Sequence, residues 1–221
     1  VPVGDMGVFQ VVSHEKGAFS HDDVEFLEIL AAHAAEALRR IKFQDEIHYI
    51  SFHDGLTGLY NRSYFEEEVR RLNRKRQLPI TIIIADVNGL KMVNDAFGHG
   101  AGDRLLKKVA RSITQSCRDE DIICRWGGDE FAILLPQTSE EIGLDICRRI
   151  RESCKEQGDD PVPVSVALGV AAKVSMDIDI NDVLKEAEER MYRNKLLEGQ
   201  SYRSSFLNFM AHSLFEKSNE T

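Results

Sequence analysis

The sequence predicts an α+β fold, with a central, mostly antiparallel sheet flanked by helices and a long helix near the N-terminus. Three observations carry that expectation. Apolar runs of strand length, Ile80–Ala85, Phe131–Leu135 and Val162–Ala172, alternate with segments whose apolar residues recur at helical spacing. Gly127-Gly128 separates two apolar runs and reads as a tight hairpin turn, which makes at least one strand pair antiparallel. From Val24 the helical periodicity runs for about thirty residues with no breaker before Gly55, longer than a compact domain needs.

Taken in order, Gly7 to Val12 is strand-like. Ser20 is placed to cap a helix, with Asp22 and Asp23 at its positive end. Leu27, Leu30, Ala34, Leu38 and Ile41 form a seam close to heptad spacing. That seam fits a connector pairing with its copy in a second chain; over its first half it fits equally a helix packed on its own sheet. Asn61 caps a helix from Ser63 to about Arg76. Pro79 then opens Ile80–Ala85, too uniformly apolar for a half-exposed strand and therefore central, and Asp86 ends it. A polar, glycine-rich stretch follows through Asn88, Gly89, Lys91, Asn94 and Asp95 to Gly98-His99-Gly100-Ala101-Gly102-Asp103. The next helix spans about Arg104 to Cys117, with Leu105, Leu106, Val109 and Ile113 inward. Beyond the hairpin come a helix from Ser139 to Glu156, a strand alternating through Val164, Val166, Leu168 and Val170, and a helix from Ile180 to Leu197. In the tail, Ser201 to Thr221, Phe206, Phe209, Met210, Leu214 and Phe215 keep helical spacing.

Composition narrows the function. Lys and Arg number 28 against 37 Asp and Glu, a net charge of −9, which argues against general affinity for nucleic acid or anionic membranes. A bound polyanion has to be held locally, or through a cation. No segment approaches the apolar length that crosses a bilayer. There is no signal-peptide pattern, and Val1 in place of Met reads as the start of an excised piece. A cytoplasmic domain is expected, compatible with a membrane anchor upstream. The four cysteines form no Cys-x-x-Cys pair and read as reduced thiols; Cys147 and Cys154, two helical turns apart, read as core.

The chemistry concentrates at Asp86 and at Asp129-Glu130. Two carboxylates about 4 Å apart repel by roughly 4 kcal/mol at an effective dielectric of about 20, so facing acids on adjacent strands call for a divalent cation. Oxygen ligands with room for phosphate oxygens favour Mg²⁺ or Mn²⁺ over zinc. With the loop amides of Asn88 to Lys91 and a lysine, the set makes a nucleoside-triphosphate site. Trp126 reads as packing under the turn, and His99, between glycines, as structural.

Asp54-x-Leu56-Thr57-Gly58-Leu59-x-Asn61-Arg62, Asp86 through Lys91, Asn94-Asp95, Gly98-His99, Gly102-Asp103 and Gly127-Gly128-Asp129-Glu130-Phe131 occur in that order. The stretch from about Ser51 to Leu197 resembles a GGDEF domain, the diguanylate cyclase family, whose ferredoxin-like core is similar to nucleotidyl cyclases and polymerase palms. The resemblance implies a catalytic domain over 53–200 that condenses two GTP molecules into cyclic di-GMP, with release of pyrophosphate. It implies Mg²⁺ (or Mn²⁺) held by Asp86, Glu130 and the Val87 carbonyl, with Asp129 binding metal or activating the attacking 3′-hydroxyl. Asn94 and Asp103 then bind guanine, while Lys91, Lys195 and the amides near Gly89 and Leu90 contact phosphates. Each domain holds one GTP, so a homodimer is implied, joined through the N-terminal helix. Arg118-x-x-Asp121 fits the family's inhibitory product site, with Arg149 as a candidate to complete it from a neighbouring domain. The alternative is a non-catalytic module that binds GTP or cyclic di-GMP.

Three positions depart from the family pattern. Asn88 stands for the second acid of the strand end and Leu90 for its aromatic; Lys195-Leu-Leu-Glu-Gly199-Gln200 is one residue longer than usual and lacks the closing arginine, for which Arg203 is a substitute. Outside the domain, residues 1–38 resemble the end of a GAF domain, 39–52 a signalling-helix linker, and 201–221 a helical linker to an HD-GYP domain.

Overall fold

The computed structural model describes residues 1–156 and 163–219. Two compact units emerge, Val1–Ser51 and Phe52–Thr221. The first is dominated by α1 (His21–Phe52). Its start is closed reciprocally: the Asp23 amide donates to Ser20 Oγ at 3.2 Å, and the Ser20 amide donates to the Asp23 carboxylate at 2.8 Å. Ala31 and Ala35 pack against Val3, whereas Leu30, Leu38 and Ile41 are exposed. The strand expected over Gly7–Val12 does not form. Val8 makes an isolated bridge to Pro2, and Val11 and Val12 lie exposed without regular structure. β propensity yields a strand only where a neighbour supplies ladder hydrogen bonds, and the described residues supply no more than that bridge.

The second unit runs β1 (Tyr60–Asn61), α2 (Arg62–Leu72), β2 (Ile80–Val87), α3 (Leu90–Phe97), α4 (His99–Ser116), β3 (Ile122–Gly127), β4 (Glu130–Leu135), α5 (Glu140–Glu156), β5 (Val166–Lys173) and α6 (Ile180–Asn219). The sheet order is β1-β3-β4-β2-β5. Every pairing is antiparallel except that of the short β1 with β3. The expected mostly antiparallel sheet with helices is therefore what forms, and β2 sits inside it between β4 and β5.

Side-chain alternation explains why β2 reads as a continuous apolar run. Ile83, Ala85 and Val87 face one core with α4 and α5; Ile80, Ile82 and Ile84 face the other with α2 and α6. β5 is asymmetric: Val166, Leu168 and Val170 face the α4–α5 side, and Ala167, Gly169 and Ala171 face α6. Those small residues let α6 lie close on the sheet. A Cβ at Gly169 would stand 2.1 Å from the Ala187 carbonyl oxygen and 2.2 Å from the Met191 nitrogen.

Several boundaries differ from expectation. α2 stops at Leu72 rather than near Arg76, and a 3₁₀ turn at Lys75–Gln77 follows. α3 occupies a stretch that reads as polar loop, and α4 begins at His99, ahead of the expected Arg104. Gly102 permits this: a Cβ there would sit 2.0 Å from Asn94 Oδ1, so the glycine-rich pattern reflects close contact of two helices. The two expected C-terminal helices are one, because α6 continues through Gly199. Val162 and the side chains of Leu214 and Phe215 lie outside the described residues. All four cysteines are free, and burial pushes the thiols of Cys117, Cys124 and Cys147 up to about 12.

Candidate active site

Asp86 shares the strand parity of Ile82 and Ile84, which turns it toward the face covered by α6. There Lys195 donates to Asp86 Oδ2 at 2.6 Å. Asp86 is 2% exposed, and its Oδ1 is buried without a hydrogen-bond partner. Burial, reinforced by the charges of Asp129 and Glu130, pushes its pKa up to about 6 against the hydrogen bond from Lys195. Burial alone would lower the pKa of Lys195, yet Asp86, Asp129 and Glu130 together raise it. The two ends differ because desolvation falls mainly on the carboxylate; the lysine side chain keeps 39% of its exposure. An ion pair holds, but it leaves Asp86 under-compensated.

The hairpin brings the other acids to the same edge. Glu130 lies directly across the ladder from Asp86, and the Val87 amide donates to the Asp129 carbonyl at 2.9 Å. Of the two turn glycines only Gly128 adopts a positive φ, 50°. Arg125 braces the turn: Nε and Nη2 donate to the Gly128 carbonyl at 3.1 and 2.7 Å, and Nη1 donates to both Asp54 oxygens at 3.2 and 3.1 Å. Asp54 also accepts from the Thr57 amide at 2.8 Å and hydroxyl at 2.7 Å. The Asp54–Arg62 stretch is thus tied to the hairpin by Arg125, a role its neighbours in sequence gave no means of seeing. Trp126, at a bulge in β3, packs edge-on to Phe65 of α2 under the Arg62 guanidinium, rather than beneath the turn.

Past β2, Gly89 turns the chain with φ 74° and starts α3 without a side-chain cap. The first amides of α3 are left for an anion, as at other helix N-termini. A cavity of about 730 Å³ opens here, bounded by Val87, Gly89, Leu90, Lys91, Asp129 and Lys195, with Arg203 also on its wall. Asn94 and Asp103 do not line it. They stand on the facing helices α3 and α4, where Asn94 Oδ1 is buried and unpartnered and Asp103 is exposed. Asn88 is structural: its amide and its Nδ2 donate to the Ser165 carbonyl and hydroxyl, both at 2.9 Å. His99 opens α4 exposed to solvent, so no packing role attaches to it.

Among the described residues no group of three or more His, Cys, Asp or Glu side chains is arranged to hold a metal. The residues present nevertheless fit a hard cation that completes its shell with phosphate oxygens and water. Asp86, Glu130 and the Val87 carbonyl would hold it, with Asp129 at the rim, and the orphaned Asp86 Oδ1 is the oxygen it would satisfy.

A second cavity, of about 460 Å³, lies on the same unit, lined by Arg118, Asp121, Tyr60, Tyr64, Glu68 and Arg71. Asp121 is buried and accepts from the Arg118 amide at 2.8 Å, while the Arg118 side chain, 61% exposed, stands 3.7 Å from the Glu120 carboxylate, which also lines the cavity. Tyr60 and Tyr64 stack at 3.9 Å beside it. Arg149 is absent from that lining; it donates to the Ser116 carbonyl at the end of α4 at 2.8 Å.

Asp86, Asp129, Glu130, Lys91, Lys195 and the bare N-terminus of α3 thus gather at one end of a five-stranded α+β domain. Residues 51–201 match the family model described as "Diguanylate cyclase, GGDEF domain", and the chain belongs to that family. It is 32% identical over 174 residues to the probable diguanylate cyclase DgcT of Escherichia coli, covering 76% of this chain and 37% of that protein. It is 32% identical over 151 residues to the response regulator PleD of Caulobacter vibrioides, covering 64% of this chain and 33% of that one. The diguanylate cyclase SiaD of Pseudomonas aeruginosa, solved with its activator SiaC, superposes with a TM-score of 0.60 at 28% identity, covering 79% of this chain and 70% of that one. The chain spans about a third of the length of these curated relatives.

Proposed function

We propose that the chain condenses two GTP molecules into cyclic di-GMP, releasing two pyrophosphates. The observation that carries this reading is the register of Asp86 against Glu130, next in sequence to Val87 and Asp129 on the wall of a cavity that is also lined by Lys91, Lys195 and the bare N-terminus of α3. Lys91, Lys195 and the amides of Gly89 and Leu90 bind the triphosphate and fix the α-phosphate beside the carboxylates. Bound Mg²⁺ or Mn²⁺ supplies charge neutralisation and polarises the phosphate oxygens. Asp129 takes the proton of the 3′-hydroxyl as the hydroxyl oxygen bonds to the α-phosphorus of the second GTP and the bond to pyrophosphate breaks. Asn94 and Asp103, on α3 and α4 beside that cavity rather than in its lining, are assigned the guanine: carbonyl and carboxylate oxygens suit its N1–H and N2–H₂, whereas adenine, with an acceptor at N1 and no amino group at C2, matches them poorly. One cavity holds one nucleotide, so the reaction runs between two copies of the domain, brought together through α1.

Lys195 has two tasks that exclude each other in time. In the nucleotide-free protein it donates to Asp86; with nucleotide bound it would turn to the phosphates, freeing a carboxylate that would hold the cation. Arg118 and Asp121 form the site through which the product inhibits its own synthesis.

Incubation with GTP and Mg²⁺, with mass spectrometry of the product, tests the reading. Cyclic di-GMP is expected from the native protein, none after chelation with EDTA, and none from Glu130→Ala. Added product is expected to inhibit the native protein, and Arg118→Ala to resist that inhibition at least ten-fold, roughly the loss of one charged phosphate contact. One observation favours a regulatory, non-catalytic module: Asn88 is spent on Ser165 and brings no charge to the cation. GTP or cyclic di-GMP binding without turnover is the outcome that selects it.

A further inference from the structure

α6 covers the sheet through Val183, Ala187 and Met191, but Tyr202 and Phe206 belong to the core on the opposite face. The helix therefore passes the end of β2 that carries Asp86 and straps across it, beyond residue 201, where the family match ends. Tyr202 is 5% exposed. Its ring fills the space that a side chain at Gly89 would need: a Cβ there would stand 1.9 Å from Cε1 and 2.8 Å from both Cδ1 and Cζ. The ring thus lies directly on the backbone of the turn that begins α3. Phe206 forms the next layer, with ring centroids 6.2 Å from Tyr202 and 6.3 Å from Phe97, the last residue of α3; Phe209 lies 6.2 Å from Phe97. Both ends of α3 are clamped by the same stretch of α6. The Tyr202 hydroxyl is buried without a partner, and burial pushes its pKa up to about 12, so the neutral ring makes the contact.

We propose that Tyr202 is a positioning residue, its ring, backed by Phe206, setting the Gly89 turn for the triphosphate and making nucleotide binding depend on the docked C-terminal half of α6. This rests on the reading of the 730 Å³ cavity as the GTP site. A helix continuous from Lys195 to Phe209 then carries any displacement of its distal half to both the lysine and the turn.

Two readouts test it, amide hydrogen exchange over Gly89–Phe97 in the nucleotide-free protein and the KM and kcat for GTP. Tyr202→Ala is expected to lose about ten-fold protection across α3 and to raise KM about ten-fold with a smaller change in kcat, the signature of a misplaced binding group. Tyr202→Phe is expected to match the native protein in both. Leu207→Ala, at a position 63% exposed on the same helix, gives the background. Exchange in Tyr202→Ala equal to that in Leu207→Ala overturns the proposal. So does a Tyr202→Phe protein as impaired as Tyr202→Ala, which assigns the role to the hydroxyl. Should Tyr202→Ala not fold, Tyr202→Leu keeps apolar bulk over Gly89 and takes the same two measurements. A native protein that makes no cyclic dinucleotide sinks the cyclase reading alone, because the exchange measurement uses no nucleotide.

Discussion

Asp54 and Arg125 stand 71 residues apart in sequence and meet as a pair that is largely buried, their side chains 22% and 16% exposed. Burial acts to raise the Asp54 pKa, but the Thr57 hydroxyl and amide and the Arg125 charge outweigh it and hold it below the ordinary 3.8. The unfolded chain therefore binds the proton first as pH falls, and the stabilisation present above about pH 4 is lost as pH drops through the lower folded value. Asp54→Ala is expected to cost about 2 kcal/mol at pH 7, as for a charged hydrogen-bonded group, which lowers the melting temperature by about 4–8 °C. Melting of native and variant proteins between pH 7 and pH 3 checks this; the two curves should converge at the acid end, and a constant gap would show that the ion pair contributes nothing. The acids were legible from sequence because they follow a buried strand and a glycine turn. The bracing of that turn was not, since nothing local distinguishes Arg125 from a surface arginine. Asn88 was legible as a departure, and its bonds to Ser165 show why the position is filled by an amide.

Among the elements, the strands were readable and the helix boundaries less so. β2 shows as an uninterrupted apolar run because both of its faces are buried. α3 is only eight residues long and bracketed by Gly89 and Gly98, so the helical spacing of Leu90, Val93 and Phe97 is too short a run to stand out from the glycine-rich stretch around it. α6 looked interrupted at Gly199-Gln200, yet a helix tolerates a glycine for about 1 kcal/mol when burial of Tyr202 and Phe206 beyond it recovers more. The glycines of the sheet layer make a sharper prediction. A methyl at Gly169 meets backbone atoms of α6, which yield only if the helix lifts and takes Lys195 with it. A methyl at Gly143 meets side-chain carbons of Thr81 and Val170, at 2.7 and 2.8 Å, on the far side of the sheet from Lys195. Gly169→Ala is expected to cost about 3 kcal/mol in urea denaturation and to raise the KM for GTP; Gly143→Ala is expected to cost about 1–2 kcal/mol with KM unchanged. Equal effects on KM would mean that α6 is not the element that places the lysine.

At the scale of the whole molecule, the proposed reaction, with one GTP site per domain and a product made from two nucleotides, requires a pair of domains, a pairing the proposal assigns to α1. Its small residues, Ala31 and Ala35, are covered by Val3, while Leu38 and Ile41 are 42% and 55% exposed on its C-terminal half. No helix among the described residues is long and apolar enough to cross a membrane. Each copy carries a net charge of −9, and association must overcome that repulsion, which ions screen beyond about 8 Å at physiological strength. Pairing through apolar side chains therefore strengthens with salt, the reverse of pairing through ion pairs. Placing glutamates at Leu38 and Ile41 adds desolvation and like charge to the contact and is expected to convert a dimer into monomers in sedimentation. Kinetics then provide the decisive check. When domains are paired in advance, the rate of cyclic di-GMP formation rises in proportion to protein concentration; when they meet by collision, it rises with the square. The native protein should follow the first law and Leu38→Glu/Ile41→Glu the second, with circular dichroism and GTP binding by each domain unchanged. Linear dependence in both proteins would show that the catalytic domains pair without α1.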